Sequence, residues 1–444
     1  MTSPAAAPAP SSTLSSTPWS APGLRITDHV LEVPLDHGAA AGPSAPHLSL
    51  FARELAAPGG EDRPFLLYLQ GGPGFEAPRS DGPSSPPWLA RALRDFRVIM
   101  LDQRGTGRST PVGLDSALPE GAIPGASTLR EATPAQQADY LALFRADSIV
   151  ADAELLRVAL GAETWTVLGQ SFGGFTTLRY LSVASRSVAA AMFTGGLPVL
   201  GPRIDEAYAL TWDGMIARSE RHWSRFPGDR ERMRALVDLA RSGDLSTADG
   251  APVGTERLRR LGHLLGASGG QEKLHHLLEL DPRSPAFRAD LAGALPFSGR
   301  NPIYAVLHES CWADGGATRW AAQRTMPDAV REDPTLLAGE HMHREAIAED
   351  PQLAPWAEAA ELLAAREWPA LYDPAALAEA TCPVAAAVYY DDAYVPRELS
   401  LETASHLRDP RLWITSEFEH NGLRASGEGV LDHLLGLVTG ERRG

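Results

Sequence analysis

Lysine is almost missing from this chain: Lys273 is the only one, so nearly all of its positive charge is guanidinium. Cationic residues are also outnumbered, 40 Lys and Arg against 56 Asp and Glu, and the formal charge is −16. A surface that negative repels phosphates, which argues against nucleic acid and anionic membrane as partners. Cysteine is scarce too. Cys311 and Cys382 could form at most one bridge, and their spacing matches neither a disulfide framework nor a zinc site, so buried free thiols are expected. No apolar run approaches the roughly 18 residues that span a bilayer. The stretch MTSPAAAPAPSSTLSSTP has neither the basic region nor the apolar region of a signal peptide, and a cytoplasmic location is the expectation. No repeat of fixed period is present.

Hydrophobic residues make up 44% and charged residues 22%, which excludes a mainly disordered chain. At 444 residues the chain exceeds a single compact core, and one large domain with a sizeable insertion or a second domain is expected. Residues 1–22 are rich in Ala, Pro and Ser, hold few large apolar side chains, and read as a flexible arm. Two candidate strands follow, from Leu31 to Leu35 and from Leu48 to Leu55. From Pro64 the texture changes. FLLYLQGGPG, FRVIMLDQRGTGRS and WTVLGQSFGG are short continuous apolar runs that stop at Gly-rich turns, as a parallel sheet buried on both faces requires. Between the last two, Ile149, Val150, Ala153, Leu156 and Leu160 fall mainly on one face at helical spacing, and Gly161 can end that helix. Residues 202–380 show repeated helical patterns and no buried-strand run. The sheet texture returns in CPVAAAVYYDD and RLWITSEFEH, with a last helix near Gly429 to Val438. The reading is one α/β domain, 23–201 and 381–444, interrupted by a helical cap at 202–380.

The strongest chemical signal is Gly169-Gln170-Ser171-Phe172-Gly173. A nucleophile on a sharp strand-to-helix turn needs small flanks, and here a buried strand precedes it and a helical pattern follows. Taken alone the pattern is weak, and a Gly-rich turn with a solvated serine is the bland alternative. A serine hydroxyl also needs a base and an orienting acid. In the chain order serine, acid, histidine, the late strand ends offer Asp391 and Asp392, then His420. Asp392 is favoured by a D-x-x-x-P pattern ending at Pro396, with Asp391 read as a turn or cap residue. Gly71-Gly72-Pro73-Gly74 ends an earlier strand, and the N–H groups of Gly72 and Phe172 form the expected oxyanion hole. His341 with His343, and His275 with His276, lack metal-ligand spacing, and GTGRST at Gly105 lacks the lysine of a phosphate loop. No metal or cofactor is expected.

GGPGFEAPRS, LDQRGTGRST, LGQSFGGF, NPIYAVLHESCWADGGATRWAAQR, VYYDDAYVP and EFEHNGLR, in that order, resemble the prolyl aminopeptidases (proline iminopeptidases) in their longer bacterial form. The resemblance implies an α/β-hydrolase fold, a mostly parallel central sheet flanked by helices, with an inserted helical cap. It implies release of N-terminal proline from peptides, with Ser171 as nucleophile, Asp392 as acid and His420 as base. Cap glutamates hold the free amino terminus in that family; Glu309 is the better match here and Glu340 the second. Trp312, Trp320 and Phe75 are candidates for walling the proline ring. One departure is that Gln70 precedes Gly71 where short members have histidine. The competing readings are an esterase, amidase or other exopeptidase on the same scaffold, and a non-catalytic ligand-binding protein.

Overall fold

The computed structural model describes residues 13–39 and 45–443. Nine strands form one sheet: β1 (Ser15–Ala21), β2 (Leu24–Pro34), β3 (His47–Ala56), β4 (Phe65–Leu69), β5 (Arg97–Leu101), β6 (Trp165–Gln170), β7 (Val188–Thr194), β8 (Val384–Tyr389) and β9 (Pro410–Thr415), in the order β1-β2-β3-β5-β4-β6-β7-β8-β9. The pairs β1·β2, β2·β3 and β3·β5 are antiparallel. From β5 across to β9 every pair is parallel.

The apolar runs behave as their composition requires. Successive side chains of a strand point to opposite faces, so a run with no polar alternation must be covered on both. Leu67, Ile99, Val167 and Phe193 face one side, against α1 (Ala146–Ala159) and α2 (Phe172–Ala184). Leu66, Val98, Leu168 and Met192 face the other, against Trp88 and the last helix (Gly429–Thr439). Each such side chain stabilises the fold by about 1.5–3 kcal/mol relative to exposure, so neither face tolerates a polar substitution. Helix α1 buries Ile149, Val150, Ala153 and Leu156, and Gly161, with φ +69°, turns the chain after it.

The chain runs from β4 to β5 on one side, and β6 then pairs with the opposite edge of β4. Such a reversal opens a crevice at the carboxyl ends of the strands, where ligands bind in open α/β sheets. Gly71, Ser171, Gly195, Asp392 and His420 all follow the carboxyl ends of parallel strands and so gather at one rim. Between β7 and β8 the chain forms helices and turns with no named strand, from α3 (Ile204–Arg225) to Pro374–Glu379. Its buried Met215, Leu258, Leu261 and Leu274 join the same apolar cluster as the α1 and α2 face of the sheet.

One expectation needs correction. Residues 15–21 do not belong to a flexible arm: they form β1, hydrogen-bonded along β2 from Ser15 opposite Val30 to Ala21 opposite Leu24. The segment's composition bears on whether its side chains can pack, and they are indeed largely exposed. An edge strand, however, is held by its ladder and needs no core of its own; the Arg53 guanidinium also sits 5.0 Å from the Trp19 ring. The remainder of the expected arm, residues 1–12, lies outside the described residues.

Candidate active site

Ser171 stands between β6 and α2 with φ 54° and ψ −125°, a strained backbone for any residue but glycine. The turn is possible because its flanks carry no side chains. A Cβ on Gly169 would lie 2.4 Å from the Gly173 carbonyl oxygen, and one on Gly173 would lie 1.9 Å from that of Leu69. The G-x-S-x-G spacing is therefore a packing requirement at both glycines. Ser171 is 8% exposed, at the mouth of the crevice.

Asp392 follows β8, and both of its oxygens accept from His420 Nδ1, at 2.9 and 2.8 Å. Its Oδ1 also accepts the N–H groups of Tyr394 and Val395, at 2.9 and 3.0 Å, which fixes the carboxylate plane. Asp391 points elsewhere: it is exposed, 3.5 Å from Arg221. Gly195, one residue past β7, lies beneath the pair, since a Cβ there would be 3.0 Å from Asp392 Oδ2 and 3.1 Å from His420 Nδ1. The Ser171 N–H donates to the carbonyl of Thr194, the neighbour of Gly195, at 3.0 Å. The three side chains thus meet at one rim. With Nδ1 occupied by the carboxylate, His420 turns Nε2 the other way, buried and with no hydrogen-bond partner among the described residues. Ser171 makes no hydrogen bond to it in this structure. Burial opposes charging of His420, but the charge of Asp392 and its hydrogen bond outweigh burial and raise the imidazole pKa above its ordinary value.

Beside Ser171, a Cβ on Gly71 would be 2.9 Å from the serine Cβ, so the Gly71-Gly72 backbone passes directly over the nucleophile. Among the described residues, the N–H groups of Gly72 and Phe172 donate to no protein acceptor. The Gln70 side chain is not part of this face, because its Oε1 accepts from the Tyr68 hydroxyl at 2.8 Å.

Above the rim, a small cavity is lined by Tyr208, Thr211, His308, Trp312, Glu340 and Tyr394, among others. Two contacts tie it to the site. Tyr394 packs its edge on the His420 ring at 4.9 Å, and Trp312 packs on Phe175 of α2 at 4.7 Å. Glu340 accepts from the Tyr304 hydroxyl at 2.5 Å and lies 3.8 Å from His263 and 3.9 Å from His308. Burial opposes its ionisation, but the neighbouring His263, His308 and His420 imidazoles hold its pKa down at about 2. Glu309 is outside the cavity lining. Its oxygens accept the N–H groups of Ala321 and Ala322, at 3.0 and 2.9 Å, and burial pushes its pKa up to about 7. Of the aromatic candidates, Trp312 lines the cavity, Trp320 donates to Glu361 at 3.0 Å, and Phe75 packs on Tyr304 at 4.9 Å.

Comparison with known proteins places this geometry in a lineage. Residues 64–279 match the family model for the alpha/beta hydrolase fold. A proline iminopeptidase from Aeromonas sobria is 40% identical over 428 residues, covering 94% of this chain and 97% of that protein. The chain belongs to the proline iminopeptidase family. A proline iminopeptidase from Aspergillus aculeatus is 29% identical over 444 residues, covering 93% of each chain.

Within this iminopeptidase fold, several residues around the cavity escaped the sequence reading. Tyr394 stands two positions after Asp392, in VYYDDAYVP, and contacts the histidine through that short offset. Tyr304, in NPIYAVLHE, holds Glu340. Tyr208 and His308 line the cavity, and the Tyr208 hydroxyl and both His308 ring nitrogens are buried without hydrogen-bond partners among the described residues. The histidines set aside as metal ligands are engaged otherwise: His341 lies on Trp212 at 3.8 Å, His343 bonds Glu256 at 3.1 Å, and His275 bonds Asp229 at 2.9 Å. No helix among the described residues is long and apolar enough to cross a membrane.

Proposed function

We propose that the protein releases N-terminal proline from peptides through an acyl-enzyme on Ser171. The observation that carries this reading is the Asp392–His420 pair on the rim that holds Ser171, beneath a cavity lined by Glu340. His420 Nε2 takes the hydroxyl proton as Oγ attacks the prolyl carbonyl. The carbonyl oxygen becomes an oxyanion, held by the N–H groups of Gly72 and Phe172 at the positive end of α2. His420 then gives its proton to the leaving nitrogen, the C–N bond breaks, and the shortened peptide departs. Water attacks the ester, losing its proton to His420, and Ser171 regains a proton as proline leaves.

Glu340 supplies the exopeptidase character. A carboxylate in this cavity forms a charge-assisted hydrogen bond with a protonated prolyl nitrogen, and holding that nitrogen close to the nucleophile selects the first peptide bond. Trp312 and Tyr394 offer apolar walls for the ring. Glu309, expected as the first amino-terminus ligand, acts behind Glu340 in this reading: it fixes the segment after Trp320 through the Ala321 and Ala322 N–H groups. The helical segment 202–380 serves as the cap that restricts entry. The two free thiols, Cys311 and Cys382, support the cytoplasmic location.

A panel of aminoacyl arylamides with free and blocked amino termini tests the proposal. Rapid turnover of prolyl arylamide with a free amine, and loss of turnover when the amine is acylated, is the expected result. Equal turnover of blocked substrates or of simple acyl esters favours the esterase reading.

A further inference from the structure

His420 is on the sheet domain, yet its loop is held by the helical segment between β7 and β8. The His420 N–H donates to the carbonyl of Gly266 at 3.1 Å. The Ser268 N–H donates to Asn421 Oδ1 at 3.0 Å. Tyr394, whose ring edge rests on His420, donates its hydroxyl to the carbonyl of His263 at 2.5 Å and leaves no room for a side chain on Gly266. Arg218 of α3 completes the set. It is 6% exposed, donates to the Leu265 carbonyl at 3.0 Å, and stands 2.6 Å from Glu419, the residue before the histidine. His420 and Asn421 are thus tied directly to one short stretch, 263–268, and Arg218 bridges that stretch to Glu419 on the other side of the histidine.

We infer that Arg218 is a positioning residue for the hydrolytic reaction, and that its pair with Glu419 makes the placement of His420 depend on the helical cap. The inference rests on the proposed role of His420 as base. An arginine suits this place because its guanidinium stays charged when buried, and its Nη1 faces the Leu265 carbonyl and the Glu419 carboxylate together, whereas an ammonium on a flexible stem is held less firmly. His420 has a narrow allowed range: its Nδ1 must stay on Asp392 while Nε2 reaches Ser171, and small misplacements of a catalytic group cost rate steeply. Displacement of the stretch 263–268 carries the histidine loop with it, so the site is complete when the cap is seated.

The charged and titratable groups facing His420 are Asp392, Glu340, Arg424, Tyr394 and, through the adjoining residue, Glu419. Removing either partner of the Arg218–Glu419 pair therefore leaves an uncompensated charge beside the imidazole, of opposite sign in the two cases. The test compares Arg218→Met, Arg218→Lys, Glu419→Gln and the double variant Arg218→Met/Glu419→Gln, measuring kcat, KM and the acid limb of kcat/KM on prolyl arylamide. Arg218→Met is expected to lower kcat by about tenfold or more with KM nearly unchanged. Its acid limb moves to higher pH, because the bare Glu419 carboxylate favours the imidazolium; that of Glu419→Gln moves to lower pH. The double variant returns the limb toward the parent value, and Arg218→Lys recovers part of kcat. A kcat within twofold of the parent for Arg218→Met overturns the inference. So does a lowered kcat with limbs unmoved and no recovery in Arg218→Lys, since that is the mark of a merely structural role. Retained activity in Ser171→Ala is a separate result and overturns the proposed function itself.

Discussion

At the scale of single residues, the site is a set of protonation states fixed by neighbours. In the proposed mechanism His420 must be neutral to accept the serine proton, and Asp392 raises its pKa above the ordinary histidine value. Activity therefore climbs as pH rises through that raised value, and the acid limb lies above about pH 6.5. Asp392→Asn removes the charge that raises it, so the limb moves down in pH and kcat falls by about 10⁴. A pH–rate profile of both enzymes checks this, and an unmoved limb contradicts the role of Asp392. Glu340→Gln loses a charged hydrogen bond to the substrate amine, worth about 1.5–3 kcal/mol, or about 10- to 100-fold in kcat/KM on free prolyl arylamide. Retained discrimination against blocked substrates in that variant contradicts the assignment. Glu309 gives a stability prediction of the opposite kind. Its pKa of about 7 lies above the unfolded value of 4.5, so the folded state keeps the proton. The stability it contributes is complete below pH 4.5 and is lost as pH rises through about 7. Chemical denaturation of Glu309→Gln beside the parent across that window checks it: the variant lacks this part of the slope.

At the scale of elements, the strand-to-helix turn at Ser171 is the part most legible in the sequence. The glycines were visible as a pattern, and the structure supplies the reason, because Gly173 touches the backbone of β4. Gly173→Ala meets the Leu69 carbonyl, which cannot rotate away, and destabilises the protein by about 3 kcal/mol or unfolds it. Gly82→Ala, with open space around it, leaves the denaturation midpoint in place. Equal midpoints for the two variants contradict this account of the turn. Asp392 and His420 were legible because each follows an apolar strand run, and order along the chain then gave the roles proposed for them. Less legible were elements whose partners lie far along the chain. Strand β1 has almost no apolar side chains, and only pairing with β2 reveals it. The proposal places Glu340 before Glu309 because sequence gives the residue type but not its occupants: the oxygens of Glu309 accept two backbone N–H groups, while Glu340 lines the cavity. Tyr208 falls on the apolar face of α3 with Ile204, Trp212 and Met215, which marks it as buried but not as a cavity residue, and Tyr304 and Tyr394 lie outside any long periodic run.

At the scale of the whole molecule, the chain divides its work between a sheet buried on both faces and a helical stretch inserted between β7 and β8. The sheet gives the rim its rigidity; the helices bring Tyr208, Trp312 and Glu340 over it. Such a stretch is expected to open at lower free energy than the sandwiched strands. Hydrogen exchange should then show the slowest amides in β4, β6 and β7 and faster exchange across 202–380. A stable prolyl ligand in the cavity should slow exchange at 263–268 and 417–421 together. Simultaneous exchange of strands and helices contradicts the division.

The most direct measurement is of the covalent step. Acid quench of the enzyme during turnover of a prolyl ester, followed by digestion and peptide mass spectrometry, locates any acyl group. The account predicts one prolyl group, on the peptide that carries Ser171 and absent from Ser171→Ala. A prolyl group on another peptide, or turnover that persists in Ser171→Ala, contradicts it.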